Sequence, residues 1–148
     1  MNEFFMKEAL KQAKEALKDG EVPVGSVVVL GEKIIGRGFN QPIKTKDPSA
    51  HAEIVALKEA AISLNNYRLI GAKMYTTLEP CLMCVGALIH ARIKEVIFSA
   101  HDPKSGALTS NGNLLESSFL NHRISFQGGV LEKESSNLLR EFFKNKRN

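Results

Sequence analysis

The chain holds 148 residues, 43% of them hydrophobic, with 20 Lys/Arg against 16 Asp/Glu and a net charge of +4. That length suits a single domain with a core of its own, expected over 1–148, and the charge permits a nucleic-acid partner without demanding one. No stretch approaches the ~20 apolar residues of a membrane helix, and Met1-Asn2-Glu3-Phe4-Phe5 has no secretory pattern, so the expectation is a cytoplasmic protein without a membrane association. Phe5, Ala9, Leu10, Ala13, Ala16 and Leu17 recur at helical spacing and predict a helix over 2–18, stopped by Asp19-Gly20. A valine-rich strand follows over 22–30, then a turn at Gly31-Glu32 and a returning strand over 33–39. After a polar loop, Asp47-Pro48 has the pattern of an N-cap with proline at the first helical position, predicting a helix that lasts to about residue 64. A short strand over 74–78, a helix from Cys81, a strand over 95–99, a long polar loop over 100–113, a last short strand over 123–127 and an amphipathic helix over 130–144 complete the chain. Strands alternating with helices predict an α/β architecture, here a mixed sheet with an antiparallel first pair.

Only two cysteines occur, Cys81 and Cys84. Two thiols three positions apart staple nothing, so a disulfide scaffold is excluded and a redox pair, a metal site or coincidence remains. His51-Ala52-Glu53 and Pro80-Cys81-Leu82-Met83-Cys84 each open a predicted helix. Together they offer two thiolates and one imidazole, donors that zinc prefers, and three protein ligands leave a position for water where a structural site would close with a fourth. A helix start favours thiolate over thiol. Glu53, two residues from His51, is poorly placed as a fourth ligand and well placed as a general base beside the open position.

H-x-E followed by P-C-x-x-C is the signature of the zinc deaminases. Beyond it, Glu21-Val22-Pro23-Val24-Gly25, Gly38-Phe39-Asn40, Asp47-Pro48-Ser49-Ala50-His51-Ala52-Glu53, Asn66-Tyr67-Arg68-Leu69, Thr77-Leu78-Glu79-Pro80-Cys81, Ile89-His90-Ala91-Arg92-Ile93, Asn121-His122-Arg123 and Phe142-Phe143 resemble the bacterial tRNA-specific adenosine deaminases over nearly the whole chain. The resemblance implies a three-layer α/β/α sandwich around a mixed five-stranded sheet, cytidine deaminase-like. It implies a homodimer with one zinc per subunit, held by His51, Cys81 and Cys84. The activity it implies is hydrolytic deamination of the wobble adenosine of an arginine tRNA anticodon loop to inosine, by zinc-activated hydroxide with Glu53 as proton shuttle. Asn40, Val24 and Ala52 (through its backbone) match nucleoside-pocket positions, and Asp102 matches a residue contacting RNA near the target ribose. The chain is more polar than the family pattern over 108–114.

The C-terminal residues concentrate positive charge, with Arg140, Lys144, Lys146 and Arg147 against the single acid Glu141 and with Phe142 and Phe143 between them. Together with Lys104 of the long loop, Phe142, Lys144, Lys146 and Arg147 are candidates for RNA contact through phosphates and one stacked base. The competing readings are a deaminase of a free base or nucleotide (guanine, cytidine or deoxycytidylate), a non-catalytic zinc module that binds RNA, and a thioredoxin-like redox protein. The last leaves His51-Ala52-Glu53 without a role.

Overall fold

The structure is a computed structural model and describes residues 1–147, with side chains through Lys146. Alternation of apolar residues across two faces builds it. In strand β1 (Gly25–Leu30), Val28 faces one core while Val27 and Val29 face the other. In β3 (Lys73–Leu78), Met74 and Tyr75 divide the same way, as do Val96 and Phe98 against Ile97 in β4 (Glu95–Ala100). Strands buried on both faces lose the polar alternation and become near-continuous apolar runs. With β2 (Lys33–Phe39) and β5 (Ser125–Gln127) they form one five-stranded sheet in the order β2-β1-β3-β4-β5. β1 runs antiparallel to both neighbours, whereas β3, β4 and β5 are mutually parallel. β2 to β5 therefore all end at one edge of the sheet, and β1 starts there.

Helices cover both faces. On one lie α3 (Ala52–Leu64) and α4 (Leu82–His90), contributing Ala56, Leu57, Ala60, Val85, Leu88 and Ile89 to the larger core. On the other, α1 (Asn2–Lys18) supplies Phe5, Met6 and Ala9, and α5 (Glu132–Arg147) packs beside it. This is the expected three-layer sandwich. Two glycines on β2 bring α3 unusually near the sheet. A Cβ on Gly36 would sit 2.4 Å from the Ala56 carbonyl oxygen, and one on Gly38 2.5 Å from that of Ala52.

Two expectations change. The helix predicted from Asp47-Pro48 starts instead at Ala52, with His51 as its N-cap. Asp47 uses its carboxylate locally: Oδ1 accepts from the Ser49 amide (2.8 Å) and hydroxyl (2.7 Å). That Asx turn satisfies the aspartate without a helix and leaves 49–51 free to run on into the site. Within the polar loop before it, residues Pro42–Thr45 form a short helix, α2, whose amides at Ile43 and Lys44 donate to the buried Glu21 carboxylate (3.2 and 2.8 Å). Among the described residues no helix is long and apolar enough to cross a membrane.

Candidate metal centre and nucleobase cavity

The helix starts place three metal-type donors together. His51 and Cys81 are both N-caps, with extended backbone (φ −73°, ψ 155° and φ −81°, ψ 175°), and neither side chain caps its own helix. Freed from capping, both side chains turn toward each other. His51 Nδ1 lies 3.6 Å from Cys81 Sγ and 3.5 Å from Cys84 Sγ. All three donor atoms fall within 4.8 Å of one another, the one such cluster among the described residues. Zn–S and Zn–N bonds of about 2.0–2.3 Å fit inside a triangle of that size. Two thiols and an imidazole are also a donor set that hard oxygen-seeking cations do not favour. The residues present thus fit zinc, with Cys84 fully buried and His51 and Cys81 half-buried at the cavity end.

The local electrostatics suit this chemistry. The Cys81 thiol is held down to about 4, first by the hydrogen bond from Cys84 and also by His51. Its contact with Cys81 raises the His51 imidazole above the usual histidine value. Glu53, in the first turn of α3, is 4% exposed. Burial pushes its carboxyl up to about 7 and the neighbouring Cys81 charge adds to this, against the pull of its own backbone amide and of His51. A carboxyl titrating near neutrality gives and takes protons with little driving force lost either way.

In front of these groups lies a cavity of about 210 Å³, lined by Val22, Val24, Asn40, His51, Glu53, Leu78, Glu79, Cys81, Asp102 and Ser105. Its walls come from the start of β1 and the ends of β2, β3 and β4, the edge where α/β sheets place their sites. A groove of about 460 Å³ between α1 and α5 is larger but is lined by Lys, Glu, Leu and Asn residues, with no His or Cys among them, so chemistry rather than size selects the site.

A model of the cytidine and deoxycytidylate deaminase zinc-binding region matches residues 1–100. The tRNA-specific adenosine deaminase of Aquifex aeolicus is 49% identical, over 99% of this chain and 96% of its own. That of Bacillus subtilis is 43% identical, over 97% and 89%. A solved structure from a study of A-to-I editing by tRNA:A34 deaminases at the wobble position superposes with a TM-score of 0.89, at 39% identity and covering 92% of this chain and 99% of the other. The chain belongs to the zinc-dependent cytidine and deoxycytidylate deaminase family. Within that family it groups with the tRNA-specific adenosine deaminases, and its fold and its zinc site are those of the family.

The deaminase fold brings most of the expected residues together. Val24, Asn40 and Asp102 line the cavity with His51, Glu53 and Cys81. Ala52 is fully buried beneath it, its carbonyl facing Gly38, so its side chain takes no part in the lining. Asp102 spends Oδ1 on the amides of Lys104 (3.1 Å) and Ser105 (3.2 Å). Lys104 is exposed and borders a neighbouring groove with Leu82 and Asn113. Phe142 is 8% exposed and packs edge-on to Phe143, with Lys146 over its face, whereas Phe143 is 47% exposed. The ring free to meet a partner is therefore Phe143, the half of the pair that the sequence did not single out. Lys144 and Lys146 are exposed, and the Arg147 side chain lies outside the described residues.

Sequence reasoning missed Glu79, Ser105, Val22 and Leu78 as cavity residues. Glu79-Pro80 reads as a strand breaker. Its carboxylate is instead the acceptor for a whole loop, and those hydrogen bonds, outweighing its burial, hold it down to about 2. The polar 108–114 segment is used the same way: Ser110 donates to Glu79, Asn111 to the carbonyls of Pro103 and Gly106, and Asn113 Oδ1 accepts from the Leu115 amide. Two of the three histidines outside the cluster have other side-chain partners. His122 Nε2 bonds the Ile93 carbonyl (2.9 Å), and His101 pairs with Glu132 at the start of α5 (2.8 Å).

Proposed function

We propose that this chain, as one zinc-dependent deaminase domain over 1–148, converts the wobble adenosine of a tRNA anticodon loop to inosine, with an arginine tRNA as substrate and the cytoplasm as its place of action. The observation that carries the proposal is the closed end of the cavity: among the described residues a cluster of three zinc-type donors with no fourth, two of them lining the cavity, and the buried Glu53 carboxyl beside them. A structural zinc site would have closed with another Cys or His. The names and the high coverage of the relatives supply the substrate.

His51, Cys81 and Cys84 would hold zinc, which when bound acidifies a water at its remaining position. Glu53 takes the proton of the water that adds to C6 and delivers it to N1. It then takes the proton of the new C6 hydroxyl and hands it to the departing amine as the C6–N bond breaks and the C6 carbonyl forms, so that adenosine and water become inosine and ammonia. Its near-neutral carboxyl suits both transfers. Val22, Val24 and Leu78 give the flipped base an apolar slot, and Asn40 hydrogen-bonds the nucleoside at the rim. The Asn40 side chain is steadied by its backbone, whose amide bonds the Val24 carbonyl (3.0 Å) and so ties the end of β2 to the start of β1. Asp102 and Ser105 face the substrate from the opposite wall. About 210 Å³ takes one nucleobase, which requires the adenosine to leave its stack, at least cost in a loop. Lys104, Lys144, Lys146, Arg147 and an aromatic of the Phe142-Phe143 pair are assigned to the flanking RNA.

A second copy of the chain is the assigned protein partner. Tyr67 is 64% exposed at an apolar hollow lined by Ile54, Leu57, Lys58 and Ala61 of α3, Ala87 and His90 of α4, and Ala91 just after it. Exposed apolar area of that kind marks an association surface. The deciding experiment is incubation with an adenosine-34 arginine tRNA, scored for inosine, beside free adenosine, cytidine and guanine. Inosine from the RNA alone is expected, and turnover of a free base or nucleotide alone would shift the reading to that substrate. Sedimentation of the same sample reports the dimer.

A further inference from the structure

Glu79 is 2% exposed and closes strand β3, two residues before the ligand Cys81. Its own amide donates to the Ala100 carbonyl (2.8 Å), and its carboxylate reaches into the loop that follows β4. Oε1 accepts from the Asp102 amide (3.1 Å) and the Ser110 hydroxyl. Oε2 accepts from the amides of Leu108 (3.0 Å), Thr109 (2.8 Å) and Ser110 (3.0 Å). Five donors thus converge on one side chain, spread along a loop without a strand or α-helix of its own. Gly106 completes the fit, because a Cβ there would lie 2.2 Å from the Glu79 carboxyl carbon. The same side chain is part of the cavity wall, together with Cys81, Asp102 and Ser105. Glu21 does a smaller version of this for α2, accepting only two amides.

We propose that Glu79 is a positioning residue for the substrate: its carboxylate clamps loop 101–110 at a fixed distance from the helix start that bears the metal ligands, so that Asp102 and Ser105 meet the nucleotide in register with Glu53. The inference rests on the deaminase reading above. A carboxylate suits the task because a loop of exposed amides needs acceptors, and one rigid anion satisfies several at once. An apolar residue of the same size would bury these amides without partners.

Two variants disturb the contact from opposite sides. Glu79→Gln replaces one acceptor oxygen with an amide that faces backbone N–H groups, and Gly106→Ala drives a methyl group against an unaltered carboxylate. Each is expected to keep one zinc per chain. Each should raise KM for an adenosine-34 anticodon stem-loop by about tenfold or more with a much smaller change in kcat. Hydrogen exchange at the amides of Asp102, Leu108, Thr109 and Ser110 should quicken by about tenfold or more while β3 and α4 keep their protection. A kcat that falls in step with zinc content at unchanged KM would reduce Glu79 to a structural role and overturn the proposal, as would unchanged exchange at the four amides. Exchange needs no substrate. If the variants exchange faster as described while the wild-type chain makes no inosine, the reaction reading fails and the clamp on the loop stands; if exchange is unchanged, the clamp fails whatever the activity.

Discussion

Gly38 and Gly36 offer a way to move α3 without substituting any residue of the site. A Cβ on Gly38 would stand 2.5 Å from both the Ala52 oxygen and the Ala56 nitrogen, where ordinary contact begins at 3.4 Å. Backbone atoms cannot rotate away, so the helix start must retreat by about 1 Å, an overpacking expected to cost roughly 1–3 kcal/mol. Ala52 directly follows His51 and precedes Glu53, so the retreat carries one of the three clustered donors and the buried Glu53 carboxyl with it. Metal sites tolerate only about 0.2 Å in ligand distance, and a misplacement of ~1 Å at a reacting group can cost on the order of 100-fold in rate. Gly36→Ala makes a comparable clash, 2.4 Å from the Ala56 oxygen and 2.8 Å from the Ala60 nitrogen, one helical turn farther from His51. Both variants should lose similar stability in urea titrations with zinc saturating. Zinc affinity, measured by competition with a chromophoric chelator, should fall by tenfold or more for Gly38→Ala and distinctly less for Gly36→Ala. Equal losses of affinity, or a Gly38→Ala protein with wild-type affinity, would refute the idea that close approach of α3 sets ligand placement.

Three further outcomes follow from the site and its surroundings. Glu53→Ala should keep one zinc per chain and lose roughly 10²–10⁴-fold in turnover, checked by metal content and inosine formation on the same preparation. Neutralising Lys144, Lys146 and Arg147 together should weaken tRNA binding and flatten its dependence on salt, read as the slope of log affinity against log salt concentration, with zinc content unchanged. The His101 contact holds the Glu132 carboxyl below the usual glutamate value. Its contribution to stability is complete above that usual value and is lost as pH falls through the lowered one. Glu132→Gln should therefore flatten the acid side of the stability–pH curve while changing little of its shape near neutrality, as followed by denaturant titrations from pH 7 down to 3.

How much of this was legible beforehand varies with the range of the interactions. Helix α1 runs over 2–18 as its apolar spacing predicts, because that spacing is local and its stop, Asp19-Gly20, is local too. That His51, Cys81 and Cys84 would come together was legible from residue types and motif alone. The start of α3 was not: Asp47-Pro48 fits a helix cap, and only the Asx turn to Ser49 shows that the aspartate is spent before the helix begins. Glu79 was illegible for a different reason. Its partners lie 23 to 31 residues away, and no local pattern marks an acceptor whose donors are backbone amides. The same holds for Glu21 and its bonds to α2.

The place of β1 in the sheet has a consequence for the metal. His51 follows β2 and Cys81 follows β3, two strands that point the same way but are not neighbours. Adjacent strands stand about 4.8 Å apart, so the interposed β1 separates these two ends by about 10 Å. Packed helices need an interaxial distance of about 8–10 Å. The antiparallel strand is thus a spacer one helix diameter wide, letting α3 and α4 lie side by side on one face with their first residues level. Were β2 and β3 joined directly, their helices would compete for the same track, and no seam would remain in which an imidazole and two thiols could converge.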